Sequence, residues 1–387
     1  MHPYDDISID ELRAAGGSKW TTYPDAIGTF IAEADHGTAP SVTAAIRAKV
    51  DTGTFGYVTV AEKAEAGHAL ARWLQHRFDW QVDPGRIGCL PEVLTSLELT
   101  IDHFTRPGSA VILPTPTYMP FFTLPRDHGR AIVEVPLQEQ ASGAWEFDYE
   151  GIDAAFAAGA GLLVLTNPAN PTGTVFRRDQ LLPLVDIVER HGGRVWADEI
   201  HAPLVFDGAA HVPYASLSET AAQHTVTATS ASKGWNIPGL KCAQMVFTND
   251  ADWDIWRRVS RWPSHTTGYL GVLATIAAYD GGRDWLGDTV GYLSANRDLL
   301  GALVAEQLPR ARYQRPEATY LAWLDLREYA IPGNTGRWLR QHAGVAGTDG
   351  RLCGRDFDGW FRINFATPKP ILTELVTRMG DALASIR

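Results

Sequence analysis

The sequence predicts an α/β protein: a large domain with a mostly parallel, mixed sheet flanked by helices, and a smaller α+β domain. Two observations lead there. Short apolar or β-branched runs alternate with helix-spaced segments through the first two thirds, whereas the last third mixes long helices with shorter strand-like runs. A chain of 387 residues, 45% hydrophobic and 20% charged, has ample core for one large and one small domain.

In chain order, "CLPEVLTSLEL" reads as a strand leading into a helix, and "AVILPTPTY" and "GLLVLTNP" as buried strands that stop at Pro or Asn. "DQLLPLVDIVERHGG" has helical spacing and a Gly-rich stop. "GGRVWADEIH", "TVTATSASK" and "AQMVFTND" are three further strands, short apolar or β-branched runs that fit a mostly parallel sheet. Beyond them, "RDWLGDTVGYLSANRDLLGALVAEQL" is a long helix, and "TYLAWLDL" and "GWFRINFA" are strands of the smaller domain. The expected division is an N-terminal segment, residues 1–45, that joins the small domain; a large domain, residues 46–278; and a small C-terminal domain, residues 279–387. Ligands of such sheets sit beyond the carboxyl ends of the strands. The polar residues there, Asn170, Asp198 and Ser230 to Lys233, are therefore expected to converge on one edge.

Composition excludes several functions. A formal net charge of −11 without a clustered basic face argues against nucleic acid and acidic membranes as partners. Cys89, Cys242 and Cys353 form no CxxC or zinc-ligand spacing, so they read as reduced core thiols, with no metal expected. The acidic N-terminus lacks a basic stretch followed by an apolar run, and no stretch has the length of a membrane span. A cytoplasmic location is the expectation.

Lysine usage points to the chemistry. The chain has six lysines, and "SASKGWNIPGLKC" (Ser230 to Cys242) holds two of them, although arginine outnumbers lysine more than fourfold. Arginine serves wherever a plain cation is wanted, while lysine can lose its proton and become a nucleophilic amine. Taken in order, "KW" at Lys19 and Trp20, "AEAD" before "AP", "FGY" at Phe55 to Tyr57, "PTPTYMPF", "NPANPTG", "DEIH", "SASKGWNIPGLK" and "FRINFA" resemble a fold-type I pyridoxal-phosphate (PLP) enzyme of the aminotransferase class I/II superfamily. Within it they are most similar to the MalY/PatB-type C-S lyases, which include cystathionine β-lyases. The match runs nearly end to end.

The resemblance implies a role for each position. Lys233 would hold the PLP aldehyde covalently and, once released by substrate, act as base at Cα. Asp198 would stay ionised against the protonated pyridine nitrogen, Asn170 would donate to the ring's phenolic oxygen, and His201 would stand near that oxygen. Tyr118 would stack on the ring. The phosphate would meet the helix amides at Val93 and Leu94, the hydroxyl of Ser230 and the charge of Lys241. Relatives usually carry glycine where Glu92 stands. Tyr57 resembles a residue that reaches into the neighbouring subunit's phosphate site, which implies a homodimer with shared active sites. Arg362 would fork onto the substrate α-carboxylate.

The leading functional expectation is β-elimination from an L-cysteine S-conjugate such as cystathionine. An aminotransferase is the alternative, because both reactions begin at the same Cα carbanion. A PLP-binding transcriptional regulator is a third reading, disfavoured because Trp20 already belongs to the enzyme-like region, leaving no room for a DNA-binding module.

Overall fold

The computed structural model describes residues 2–386. Its centre is a sheet of seven strands: β1 (Ile87–Leu90), β2 (Val111–Thr115), β3 (Ile132–Pro136), β4 (Leu162–Thr166), β5 (Arg194–Asp198), β6 (Thr225–Thr229) and β7 (Ala243–Phe247). They lie in the order β1-β7-β6-β5-β4-β2-β3. From β6 through β3 every neighbouring pair is parallel, while β7 runs antiparallel to both β6 and β1. The mostly parallel sheet expected from the apolar runs is thus found. The half-buried edge strand β3 carries no such run and was not among the expected elements.

Alternate residues of the strands feed two cores. Ile112, Leu163, Leu165, Val195 and Ala197 pack against Leu181, Leu184, Val185 and Val188 of helix Arg178–Arg190. Those four recur at i, i+3, i+4 and i+7, one stripe of a helix. Val111, Leu113, Leu162, Val164, Trp196 and Val226 point the other way, onto Leu97 of helix Val93–Leu99 and Trp256 of helix Asp250–Val259. Burial on both faces is why β2 and β4 lack polar alternation, while β6 alternates Thr with Val and Ala and keeps its threonines buried as well. Among the described residues, no helix is long and apolar enough to cross a membrane.

After the long helix Arg283–Gln307 the chain forms a second sheet: β8 (Arg312–Tyr313), β9 (Leu321–Asp325), β10 (Thr348–Asp349) and β11 (Trp360–Asn364), in the order β8-β9-β11-β10. Helix Lys369–Ala384 covers it through Leu372, Leu375, Val376 and Met379. The N-terminal segment reaches this region, since Ile27–Gly28 pairs in parallel with Val345–Ala346. Gly28 is required there, because a Cβ would come within 1.9 Å of the Lys19 carbonyl oxygen.

One buried ion pair fixes that segment. Asp35 accepts from Lys19 Nζ at 2.9 Å and from Trp20 Nε1 at 2.7 Å, and both charged side chains are buried. The "KW" and "AEAD" motifs are two halves of one anchor. Removing one partner of a buried pair strands the other charge. Asp35→Ala should therefore cost about 3 to 5 kcal/mol in denaturant unfolding. A Lys19→Met change made in that background should recover much of the loss, whereas an additive further loss would contradict the anchor.

Candidate active site

A cavity of about 300 Å³ lies beyond the carboxyl ends of β4, β5 and β6. Thr166 ends β4, Asp198 ends β5, and Ser230 and Lys233 follow β6, and all four line it. Asn170, Tyr118, Val93, Leu94, His201 and Arg362 complete the expected set found there. Lys241 and Tyr57 are not part of this wall. Lys241 instead pairs with Glu92, Nζ to Oε1 at 2.6 Å, and Tyr57 is 83% exposed beside His265.

Lys233 sits on the single helical turn Ala231–Gly234, capped by Ser230, whose Oγ accepts from the Ser232 amide at 3.0 Å. Its amine donates to the Ala32 carbonyl at 2.7 Å. Burial, helped by the Arg362 charge, lowers its pKa to about 8. Burial raises the Asp198 carboxyl to about 7, against the opposing pull of the Ile200 amide at 3.1 Å and of Lys233. His201 is kept neutral, its pKa lowered to about 3 by burial and by the charges of Lys233 and Arg362.

Arg362 donates through Nη1 to Asn170 Oδ1 at 2.9 Å and through Nη2 to the Phe30 carbonyl at 2.7 Å. Two residues on, on the same face of β11, Asn364 Nδ2 donates to Ile31 O at 2.8 Å and Glu33 O at 2.6 Å. Tyr320 Oη donates to Ala32 O at 2.9 Å, and Asn236 Nδ2 to Ala34 O at 3.1 Å. Five successive carbonyls of residues 30–34 are thus held by side chains that follow the seven-stranded sheet, Asn236, and by others in or beside the second sheet, Tyr320, Arg362 and Asn364, and this strap walls the cavity through Phe30, Ile31 and Ala32. Its part in the site was not foreseen, because the acceptors are backbone atoms with no residue code. Ser232 and Met119 were also missed. Ser232 lay within the quoted "SASK", and its hydroxyl is 2.7 Å from that of Ser230.

Three buried polar atoms on the cavity residues have no partner: Thr166 Oγ1, His201 Nδ1 and Arg362 Nε. Buried polar groups are ordinarily satisfied, so polar atoms left open around a cavity mark where a ligand's polar atoms belong. Together with an amine of lowered pKa, a carboxylate that needs a cation beside it and two adjacent hydroxyls, they fit PLP and an amino-acid carboxylate. No cluster of residues able to hold a metal ion occurs among the described residues.

The sheet order and the amine, carboxylate and amide at its strand ends define the fold-type I PLP-transferase fold. The chain belongs to the class I and II aminotransferases, whose family model matches residues 26–379. Cystathionine β-lyase of Corynebacterium glutamicum is 37% identical over 97% of this chain and 99% of that protein. The PatB cystathionine β-lyase of Bacillus subtilis is 31% identical over 93% of each. A solved protein of Corynebacterium diphtheriae, described as a PLP-dependent β-cystathionase, superposes with a TM-score of 0.92 at 38% identity, over 98% of this chain and 99% of that one.

A lysine pKa near 8 predicts a pH profile. The neutral amine becomes the majority form above that value, where an ordinary lysine is still protonated. Borohydride-trapped labelling of Lys233 by a simple aldehyde, quantified by peptide mass, should rise with pH through a midpoint near 8. Arg362→Met removes a nearby positive charge and should move the midpoint up; a downward move would contradict this electrostatic account.

Proposed function

We propose that this protein is a PLP-dependent carbon-sulfur β-lyase that cleaves L-cystathionine or another L-cysteine S-conjugate to pyruvate, ammonia and a thiol. Its likeness to cystathionine β-lyases along nearly the whole chain supports the reaction class. The observation that carries the chemistry is the Lys233 amine, of lowered pKa, in one cavity with Asp198 and Arg362.

Lys233 would bind the cofactor aldehyde, Asp198 the pyridine nitrogen, and Asn170 and His201 the phenolic oxygen, with Tyr118 against the ring. Ser230, Lys241 and the amides at Val93 and Leu94 would receive the phosphate. PLP, when bound, supplies an electron sink that acidifies the substrate Cα-H bond. Arg362 engages the α-carboxylate through donors that Asn170 and Phe30 leave free, which orients that bond toward Lys233. Lys233 Nζ removes the Cα proton, and the thiolate leaves Cβ and takes up a proton. Addition of one water to the remaining three-carbon unit yields pyruvate and ammonia. Neutral His201 can hydrogen-bond to an oxygen without adding a charge.

Incubation with cystathionine alone should release pyruvate and thiol in equal amounts. The second reading, an aminotransferase, follows from the family and would instead need an added 2-oxo acid; turnover only in its presence would overturn the lyase reading. Borohydride reduction should fix the cofactor to Lys233. Lys233→Ala should retain some PLP through the phosphate contacts and lose turnover. Recovery of the label on Lys241 would refute the assignment.

A homodimer with shared sites fits the surface. Phe55, Tyr57, Val60 and Trp262 are large hydrophobic residues at the surface, and the His265 ring lies 5.2 Å from Tyr57 and 5.7 Å from Trp262. Tyr57 would reach the partner's phosphate site. Mixing Lys233→Ala with Tyr57→Asp under subunit exchange then puts both lesions in one site and leaves the other intact. Each mixed dimer should regain activity toward half that of a native dimer, and exchange shown by mass without recovery would exclude sharing. The three free, buried cysteines suit a reducing compartment, and we place the enzyme in the cytoplasm.

A further inference from the structure

Glu92 opens helix Val93–Leu99, yet its side chain makes no capping bond. Glutamate is not a favoured cap either. Its carboxylate turns to Lys241 Nζ at 2.6 Å, in a pair whose members are each about half exposed, 47% and 50%. Such exposed pairs add little to stability. Capping and stability thus both leave this residue unexplained.

Lys241 is presented by a corner that does not depend on Glu92. Its backbone is left-handed, with φ +57°, and its carbonyl accepts from the Gly268 amide at 2.9 Å. Gly268 and Gly271 pack so closely that a Cβ on either would fall within 2.5 Å of the Leu240 carbonyl oxygen. A non-glycine residue held left-handed costs free energy and persists where the surroundings impose it. The backbone that carries Lys241 is therefore held next to Glu92 by contacts in which Glu92 takes no part. Glu92 itself lines the cavity, and its negative charge is felt by Tyr118 and Lys233.

We propose that Glu92 competes with the cofactor phosphate for Lys241, and so sets how loosely this enzyme retains its cofactor. The inference rests on the phosphate placement proposed above and is independent of the reaction catalysed. A phosphate arriving beside Ser230 must share the ammonium with a carboxylate already bound to it, and it also feels that carboxylate's like charge.

The test compares PLP with pyridoxal, which lacks the phosphate, by absorbance titration of cofactor-free wild type, Glu92→Gln, Lys241→Met and the double variant. Glu92→Gln should tighten PLP on the order of tenfold and change pyridoxal by less than about twofold, with an unaltered unfolding midpoint. Glu92→Ala should do the same, which guards against an effect peculiar to glutamine. Lys241→Met should reduce the preference for PLP over pyridoxal, and in the double variant the gain from losing Glu92 should shrink. Unchanged or weaker PLP binding in Glu92→Gln would show that the carboxylate orients Lys241 rather than competing for it, and would overturn the proposal. An equal change for both ligands would overturn it as an effect of packing. If Lys241→Met leaves the preference intact, the phosphate placement itself fails and the proposal falls with it.

Discussion

Two cations share one buried cavity, and the fold around them is arranged to make that tolerable. Arg362 is 1% exposed, and Lys233 is desolvated enough to bring its pKa to about 8. The carboxylate that could balance them, Asp198, is itself pushed to about 7 by burial. A buried charge is affordable only when it is paired or hydrogen-bonded. Much of the compensation comes from backbone dipoles, as Arg362 donates to Phe30 O and Lys233 to Ala32 O. The strap supplying those carbonyls is pinned in turn by Lys19, Trp20 and Asp35.

The same imbalance suits the groups proposed to bind in the cavity. A phosphate, a phenolate and an α-carboxylate would relieve the excess positive charge, and a pyridinium held beside Asp198 would restore that carboxylate to its ionised form. Neutral His201 adds a hydrogen-bonding site without adding to the charge. Such an arrangement favours a carbanion next to an ammonium-derived nitrogen but does not by itself choose its fate, so the family supports elimination and transamination on one frame. Nearby, Glu92 and Lys241 form a second, local charge balance, for which a cofactor phosphate would contend under the proposal above.

The chemistry at the strand ends was legible because β4, β5 and β6 are short apolar or β-branched runs, so the polar residues that close or follow them stand out, namely Asn170, Asp198 and Ser230, whereas Thr166 did not. Lys233 stood out through the scarcity of lysine. The strap was not legible, because its contribution is made by carbonyls of Phe30, Ile31 and Ala32, which any sequence carries. "KW" and "AEAD" were visible as motifs, but that they form one ion-pair anchor depends on a contact across sixteen residues that only the folded chain shows. The edge strand Ile132–Pro136 was hidden by its partial burial, and Tyr57 lies outside the cavity of its own chain.

One amine, that of Lys233, would both anchor the cofactor and move the Cα proton. Chemical rescue tests it directly. Lys233→Ala loaded with PLP should regain pyruvate release from cystathionine when small primary amines are added, with a rate that rises with the basicity of the amine after correction for size. A Cα-deuterated substrate should slow the rescued reaction. Rescue that ignores amine basicity and shows no isotope effect, or an unrescued variant that turns over at the native rate, would contradict the assignment of proton transfer to Lys233.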